Sequence, residues 1–127
     1  MATMKTINSL VKGLHLPVPG KFTQDWEYEV SDPKRIKEFI EYYIQKKLTT
    51  DEKFTLMMVI ISSCDDAIIY GLFDEQLWKE VVDILLRDWE IHKETINYWS
   101  SDEEKDIEDC FVITPLIREV LEKKQCK

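Results

Sequence analysis

The stretch from Phe54 to Cys64 constrains the fold more than any other part of the chain. Its first eight residues, FTLMMVII, hold one threonine among seven apolar side chains. A helix that is apolar nearly all round has to be covered by other elements on most of its surface. The run is about half as long as a bilayer span. We therefore predict a hydrophobic central helix in a soluble protein.

Capping residues mark the ends of that helix and the start of the helix before it. Thr49 and Glu52 have the spacing of a capping box, in which each side chain bonds to the backbone N–H of the other residue. Gly71 predicts the C-terminal stop, because glycine tolerates the left-handed backbone of a helix end. Upstream, Asp32 followed by Pro33 predicts the start of the first firm helix.

A single long helix is predicted from the cap residue Asp74 to about Trp99. Helical spacing puts its large apolar side chains on one stripe, which we expect to be buried, and its charged side chains on the opposite, wet side. The apolar stripe comprises Trp78, Val81, Val82, Leu85, Trp89, His92, Ile96 and Trp99. The wet side comprises Glu80, Asp83, Arg87, Glu90, Glu94 and Asn97.

The chain is predicted to be one all-α domain over 1–127. Glycine (3) and proline (4) are too scarce for the many tight turns of an all-β fold. Residues 1–31 predict an irregular N-terminal arm, with a short amphipathic helix over 1–12 and an extended stretch over 22–30. Residues 32–124 form the predicted helical core. The expected architecture is an irregular bundle of five to six helices around the hydrophobic central helix.

The C-terminal quarter predicts two further helices. Ser101 and Glu104 repeat the capping-box spacing and open a short acidic helix over 102–109. Residues 111–113 have the pattern of an extended stretch. Thr114, followed by proline, then predicts the start of the last helix.

Acidic side chains are concentrated between residues 60 and 110. This segment holds 15 acidic and 4 basic residues, a local charge of −11, whereas the first 59 residues sum to +1 and the last 17 to +2. Plain solubility is one interpretation of such a surface. A concentrated negative field also repels nucleic acid and anionic lipid, and it speeds encounter with a basic partner. The charge pattern favours a basic protein partner over direct contact with nucleic acid or membrane.

Two carboxylates and one histidine are candidates for buried chemistry. Asp88 and His92 are four residues apart and therefore meet on one helix face, where the histidine could serve as a general base. Asp65 falls in the apolar sector of the central helix and needs a partner, for which Arg118 and His92 are candidates. No serine or cysteine nucleophile accompanies these residues. We favour core polar pairs and predict no catalytic residues and no enzyme.

The sequence predicts neither a metal site nor a cofactor. His15 lies in a proline-rich loop, and Glu90 is two residues before His92 rather than the three of four-helix carboxylate sites. The acidic run 102–109 lacks the Asp, Asn and Gly spacing of an EF-hand loop. The sequence contains no Gly-rich phosphate loop, no Gly-x-Ser-x-Gly motif and no basic, aromatic face for nucleic acid.

The three cysteines indicate a reducing compartment. Cys64, Cys110 and Cys126 form no C-x-x-C pair, and their odd number predicts neither a disulfide framework nor a zinc knuckle. Residues 1–20 lack the continuous apolar stretch of a signal peptide. We therefore predict a cytoplasmic protein.

The acidic face is the predicted partner-binding surface. Trp99 ends its helix next to the acidic run, and aromatic residues beside a charged patch are typical of binding hot spots. A buried anchor at the helix end is the alternative for this tryptophan. The predicted partner-binding residues are Glu90, Glu94, Trp99, Asp102, Glu103, Glu104, Asp106, Glu108 and Asp109, the carboxylates of 102–109 standing in for phosphates.

A small, acidic, helical chain without a catalytic set of residues resembles the immunity proteins of bacterial toxin systems, which neutralise nuclease toxins. The resemblance lies in the general character of the whole chain. It implies an inhibitor that occludes the basic active surface of a toxin or nuclease domain. One alternative is a small helical enzyme or ligand-binding domain that uses Asp65, Asp88 and His92 inside the bundle. Another is a DNA-mimic inhibitor, against which the basic N-terminal third argues.

Overall fold

The computed structural model describes residues 3–17, 26–101 and 110–125, and over these ranges it is all-helical with no strand. The all-α class is confirmed. The predicted number of five to six helices is too low, because the described ranges alone contain seven. These are α1 (Met4–Leu14), α2 (Trp26–Glu29), α3 (Ile36–Gln45), α4 (Thr50–Ile69), α5 (Glu75–Arg87), α6 (Trp89–Ser100) and α7 (Thr114–Gln125).

Helix α4 begins and ends as its capping residues predict. The side chain of Thr49 accepts a hydrogen bond from the backbone N–H of Glu52 (3.1 Å), and the Glu52 carboxylate accepts one from the N–H of Thr49 (3.0 Å). Gly71, just beyond the helix, has a φ of +72°. Leu56 and Ile60 are fully buried. The helix packs against α1, α2, α3 and α6, which explains why it needs so little polar surface.

Within residues 3–17 and 26–31, two helical segments contribute to the core, whereas an irregular arm was expected over 1–31. Helix α1 packs on α4 and buries Ile7, Leu10 and Leu14. Trp26 is 1% exposed and opens the helical turn α2, where an extended stretch was expected. The weak alternation of apolar and polar residues in this segment predicted the wrong structure, because burial of the Trp26 ring against α4 outweighs the local strand propensity.

Helix α3 begins at Ile36 and not at Asp32 as predicted. Asp32 instead closes a local turn, in which its carboxylate accepts from the backbone N–H of Lys34 (2.9 Å) and its carbonyl accepts from the N–H of Arg35 (3.1 Å). Aspartate side chains compete with the helix for backbone donors in this way. The predicted capping residue therefore lies three residues before the observed N-cap, Arg35.

The predicted long helix over 74–99 is broken at Asp88. Helix α5 ends at Arg87, α6 begins at Trp89, and Asp88 between them has φ −102° and ψ 37°. No glycine or proline lies in this segment. The Asp88 carboxylate accepts a hydrogen bond from the Tyr43 hydroxyl on α3 (2.6 Å). The apolar pattern continues across Asp88, so no local signal in the sequence explains the break. We therefore attribute the break to the tertiary contact with Tyr43.

The buried and wet sides predicted for 74–99 are confirmed despite the break. Val81, Leu85, His92 and Ile96 are 0% exposed, and only Trp89 of the predicted stripe is half-buried. All six residues of the predicted wet side are exposed. Helix α5 packs against α3, α6 and α7, so the two halves of the stripe cover different parts of the core.

The last helix begins where the sequence predicts, but the residues before it are not extended. Residues 111–113 form a turn, in which the backbone N–H of Thr114 donates to the carbonyl of Phe111 (3.1 Å). The predicted acidic helix over 102–109 lies outside the described residues. Nowhere in the described part of the chain is a helix both long and apolar enough to cross a membrane.

Candidate partner-binding groove

Two adjoining pockets open along α6 and the first half of α4. Their volumes are about 360 and about 410 Å³, and both have Phe54 and Glu94 in their walls. We call the combined surface the acidic groove. One pocket, the tyrosine pocket, is lined by Glu27, Tyr28, Phe54, Met58, Glu94, Thr95, Tyr98 and Trp99. The other is lined by Thr50, Phe54, Glu90, Ile91, Lys93 and Glu94.

The wall of the groove on α6 is acidic because Glu90 and Glu94 follow each other at one helical turn. Both side chains are exposed. Lys93 donates a hydrogen bond to Glu90 (2.9 Å), which lowers the pKa of that carboxyl below its usual range. Among the described residues, no basic side chain forms an ion pair with Glu94. The described lining holds three carboxylates, with Glu27 as the third, against one ammonium group that is already engaged.

Aromatic rings form the tyrosine end of the groove. The hydroxyls of Tyr28 on α2 and Tyr98 on α6 are hydrogen-bonded at 2.8 Å. Behind them, Trp99 lies 5.8 Å from each of these rings and 4.3 Å from the ring of Phe111, measured between centroids. Tyr98 is 57% exposed, whereas Trp99 is 2% exposed. The tyrosines thus present the contact surface, and the tryptophan holds them in place.

The structure places the predicted partner-binding residues in three groups. Glu90 and Glu94 lie together in the wall of the acidic groove. Trp99 is 2% exposed, because helix α6 turns its ring into the core, so the structure favours the buried anchor over the exposed hot spot, and its ring only backs the groove. The remaining six lie outside the described residues: Asp102, Glu103, Glu104, Asp106, Glu108 and Asp109.

Asp88 and His92 are linked through a third residue that the sequence did not indicate. The Tyr43 hydroxyl lies 2.6 Å from Asp88 Oδ2 and 2.8 Å from His92 Nε2. A carboxylate can only accept, so the single hydroxyl proton goes to Asp88 and the hydroxyl oxygen accepts from His92. The imidazole is therefore protonated on Nε2. Its Nδ1 is a buried acceptor without a hydrogen-bond partner among the described residues.

Burial and hydrogen bonds together set the protonation states of the three groups of this network. Burial lowers the pKa of His92 to about 4, so the ring is neutral at pH 7. Burial raises the pKa of Asp88, but hydrogen bonds from Arg87 and Tyr43 outweigh this and lower it below its usual range. The pKa of Tyr43 is raised, first by burial and then by Asp88. His92 and Tyr43 are 0% and 2% exposed, so a substrate has no access to them.

Replacement of Asp88 tests this network. Asp88→Ala should lower the free energy of unfolding by about 1–3 kcal/mol, because Tyr43 loses its charged acceptor. The hydroxyl would then donate to His92 Nε2 and drive the imidazole proton to Nδ1. Urea unfolding and imidazole ¹⁵N shifts measure the two effects. Asp83→Ala, on the exposed side of α5, is the control. An unchanged unfolding midpoint together with lost function would instead favour the enzyme alternative.

Asp65 belongs to a different part of the core. Its carboxylate accepts a hydrogen bond from the backbone N–H of Ile113 (2.9 Å) and so ties α4 to the turn before α7. Burial raises its pKa, and this bond partly offsets the effect. The expected partners Arg118 and His92 are not the ones observed, since Arg118 is directed to the carbonyls of Ser100 and Ser101. Among the described residues, no hydrogen bond joins Asp65 to Asp88 or His92.

The groove also contains residues that sequence reasoning missed as binding residues. Tyr28 lay in the predicted extended arm, and Phe54 was assigned to the core. Tyr98 was not singled out at all. Its position four residues after Glu94, on the wet side of the helix, was the available signal.

Within the described ranges, no group of three or more His, Cys, Asp or Glu side chains is arranged to hold a metal ion. Comparisons with protein-family models, with curated proteins and with solved structures find no match to this chain. The function is therefore argued from the groove itself.

Proposed function

We propose that this protein is an acidic inhibitor of immunity type, which neutralises a basic toxin such as a nuclease domain by covering its active surface. The observation that carries the proposal is the acidic groove, where the carboxylates of Glu90 and Glu94 flank exposed Tyr98 and half-buried Phe54. The proposal places the chain in the bacterial cytoplasm as a single domain over 1–127. It assigns no catalytic residue and no cofactor.

Charge and aromatic surface have separate roles in this mechanism. Exposed carboxylates raise the rate of encounter with a positively charged surface, and salt weakens their effect. Tyrosine rings supply contact area at low entropic cost and are common at the centres of interfaces. In Tyr98 and Glu94 the two features lie on successive turns of one helix, so a partner that is drawn in by charge meets the aromatic surface directly.

The acidic run over 102–109 extends the proposed binding surface. It follows α6 directly in sequence and adds Asp102, Glu103, Glu104, Asp106, Glu108 and Asp109 to the field of Glu90 and Glu94. Carboxylates in such a run stand in for the phosphates that a nuclease site binds. This part of the proposal rests on sequence and charge.

The buried network supports a binding protein over the enzyme alternative. His92 has no exposed surface, and Asp65 is hydrogen-bonded to a different element. The three residues of that alternative therefore do not converge on one accessible site, as catalysis would require.

The buried thiol of Cys64, with a pKa raised by burial to about 12, fits a core residue of a protein in a reducing compartment.

The proposal predicts that a gene next to this chain encodes a toxin domain, and that domain is the partner for the test. The purified chain should inhibit that domain, and its affinity should fall as salt rises from 50 to 500 mM. In the double variant Glu90→Lys/Glu94→Lys the association rate should drop by about tenfold or more, because the steering charges are reversed. Stopped-flow association and a toxicity assay in co-expressing cells measure this.

The matched control is Glu80→Lys/Glu122→Lys, which makes the same change of charge on exposed positions of α5 and α7 outside the groove. It should leave inhibition close to wild type, with at most a small change in rate from net charge. Equal losses in the two double variants would show that net charge, and not the groove, governs binding. An adjacent gene without a toxin domain, or a toxin domain that the chain does not bind, would contradict the immunity function.

A further inference from the structure

The tyrosine pocket combines features that match one side-chain chemistry. At about 360 Å³ it is near the lower end of ligand pockets, which run from about 300 to 1,000 Å³. Such a volume suits a single long side chain and a few waters. Its described lining includes the carboxylates of Glu27 and Glu94 and no basic residue. A cation that enters the pocket therefore meets the negative charge of Glu94, which forms no ion pair with a described basic side chain.

The aromatic walls of this pocket are held at fixed angles. The rings of Tyr28 and Trp99 are inclined at 52°, and those of Tyr98 and Trp99 at 84°. The 2.8 Å hydrogen bond between the two tyrosine hydroxyls fixes α2 against α6. Aromatic faces attract cations, and the attraction grows as the site is shielded from water. The walls thus form a site whose shape is set before binding, so a ligand side chain can enter it without a further loss of conformational entropy in the protein.

One polar group in the pocket wall lacks a partner. Thr95 is 5% exposed, and its hydroxyl has no hydrogen-bond partner among the described residues. Threonines in helices often bond to the carbonyl one turn back, but this one does not. Thr95 is one of the residues that line the pocket, so a donor from a ligand bound there could satisfy this hydroxyl.

We propose that the tyrosine pocket binds one arginine side chain of the basic partner, and this inference rests on the proposed function for the source of that arginine. A guanidinium group is planar, stacks on aromatic rings and donates through a fork that fits a carboxylate. In this proposal the Glu94 carboxylate accepts two hydrogen bonds from the guanidinium, and the Tyr98 ring stacks on it. A remaining N–H donates to the Thr95 hydroxyl. A lysine ammonium has the charge but neither the plane nor the fork, so it binds more weakly.

The pocket is tested without the partner, by titrating the intact chain with N-acetyl-arginine methylamide and following backbone amide NMR signals. The signals of Thr95, Tyr98 and Trp99 should shift and saturate in the millimolar range. The corresponding citrulline derivative has nearly the same shape but no charge and should not saturate. Glu94→Gln should weaken arginine binding about fivefold, the upper range for an exposed ion pair. Glu80→Gln, on exposed α5, should leave it unchanged.

Equal binding of the citrulline derivative, shifts spread over other surfaces, or arginine binding that is as strong in Glu94→Gln as in wild type would overturn the arginine pocket. Stronger binding of the lysine derivative would show a site for charge alone. These outcomes are separate from failure of the proposed function. If the groove charge reversal abolishes inhibition but free arginine does not bind, the function stands and the pocket does not. If arginine binds but charge reversal leaves inhibition intact, the pocket binds arginine, but the partner is not held through the acidic groove.

Discussion

Trp99→Ala is expected to lower the free energy of unfolding by about 3–5 kcal/mol, the usual cost of removing a large buried ring. The side chain is 2% exposed and packs on Phe111 at 4.3 Å and on Tyr28 and Tyr98 at 5.8 Å. It therefore joins α6 to α2 and to the turn before α7. Urea or thermal unfolding, followed by far-UV circular dichroism, measures the loss.

The control for this substitution is Tyr70→Ala. Tyr70 is 70% exposed at the C-terminal end of α4, and loss of its ring should change stability by no more than about 0.5 kcal/mol. Trp99→Phe, which keeps an apolar ring, should fall between the two. If Trp99→Ala were as stable as wild type but bound the partner poorly, the tryptophan would be a contact residue, which is one of the two roles that the sequence left open.

The residues that form helices could largely be predicted, whereas the places where helices break could not. Apolar periodicity and local caps depend on neighbours in sequence, so Thr49 and Gly71 marked the ends of α4 correctly. The break at Asp88 depends on the Tyr43 hydroxyl, 45 residues away. The apolar periodicity of the sequence does not report contacts between residues so far apart in the chain. The predicted helix start at Asp32 was wrong for a local reason, since an aspartate side chain can either cap a helix or close a turn.

The candidate site shows the same division. Glu90 and Glu94 were found because charge and helical spacing can be read from sequence. The groove itself was not, since its aromatic end needs Tyr28 from α2 beside Tyr98 from α6, 70 residues apart. Trp99 was weighed equally as a contact and as a core residue. Sequence could not decide between these roles, because the direction of a ring at a helix end depends on what packs there.

Acid should destabilise the protein from about pH 6.5 downwards, because His92 is buried in its neutral form. Its pKa is about 4 in the folded protein and about 6.5 in the unfolded chain. Between these values the unfolded state binds a proton that the folded state does not, so stability falls as pH decreases from 6.5 to 4. The loss amounts to about 3 kcal/mol and levels off below the folded pKa. Asp88, whose pKa is lowered, adds its loss mainly below pH 4.

His92→Gln isolates this effect, because an amide can donate to the Tyr43 oxygen as the neutral imidazole does but does not titrate. From pH 7 to pH 4 the free energy of unfolding of the wild type should fall by about 3 kcal/mol more than that of the variant. Asp65, whose raised pKa acts in the opposite direction, is common to both proteins and cancels. The two curves would stay parallel if His92 kept an ordinary pKa in the folded state. An NMR titration of its ring protons would then show a midpoint near 6.5, and protonation would have to open the core at Tyr43, giving solvent the access to His92 that the folded network denies.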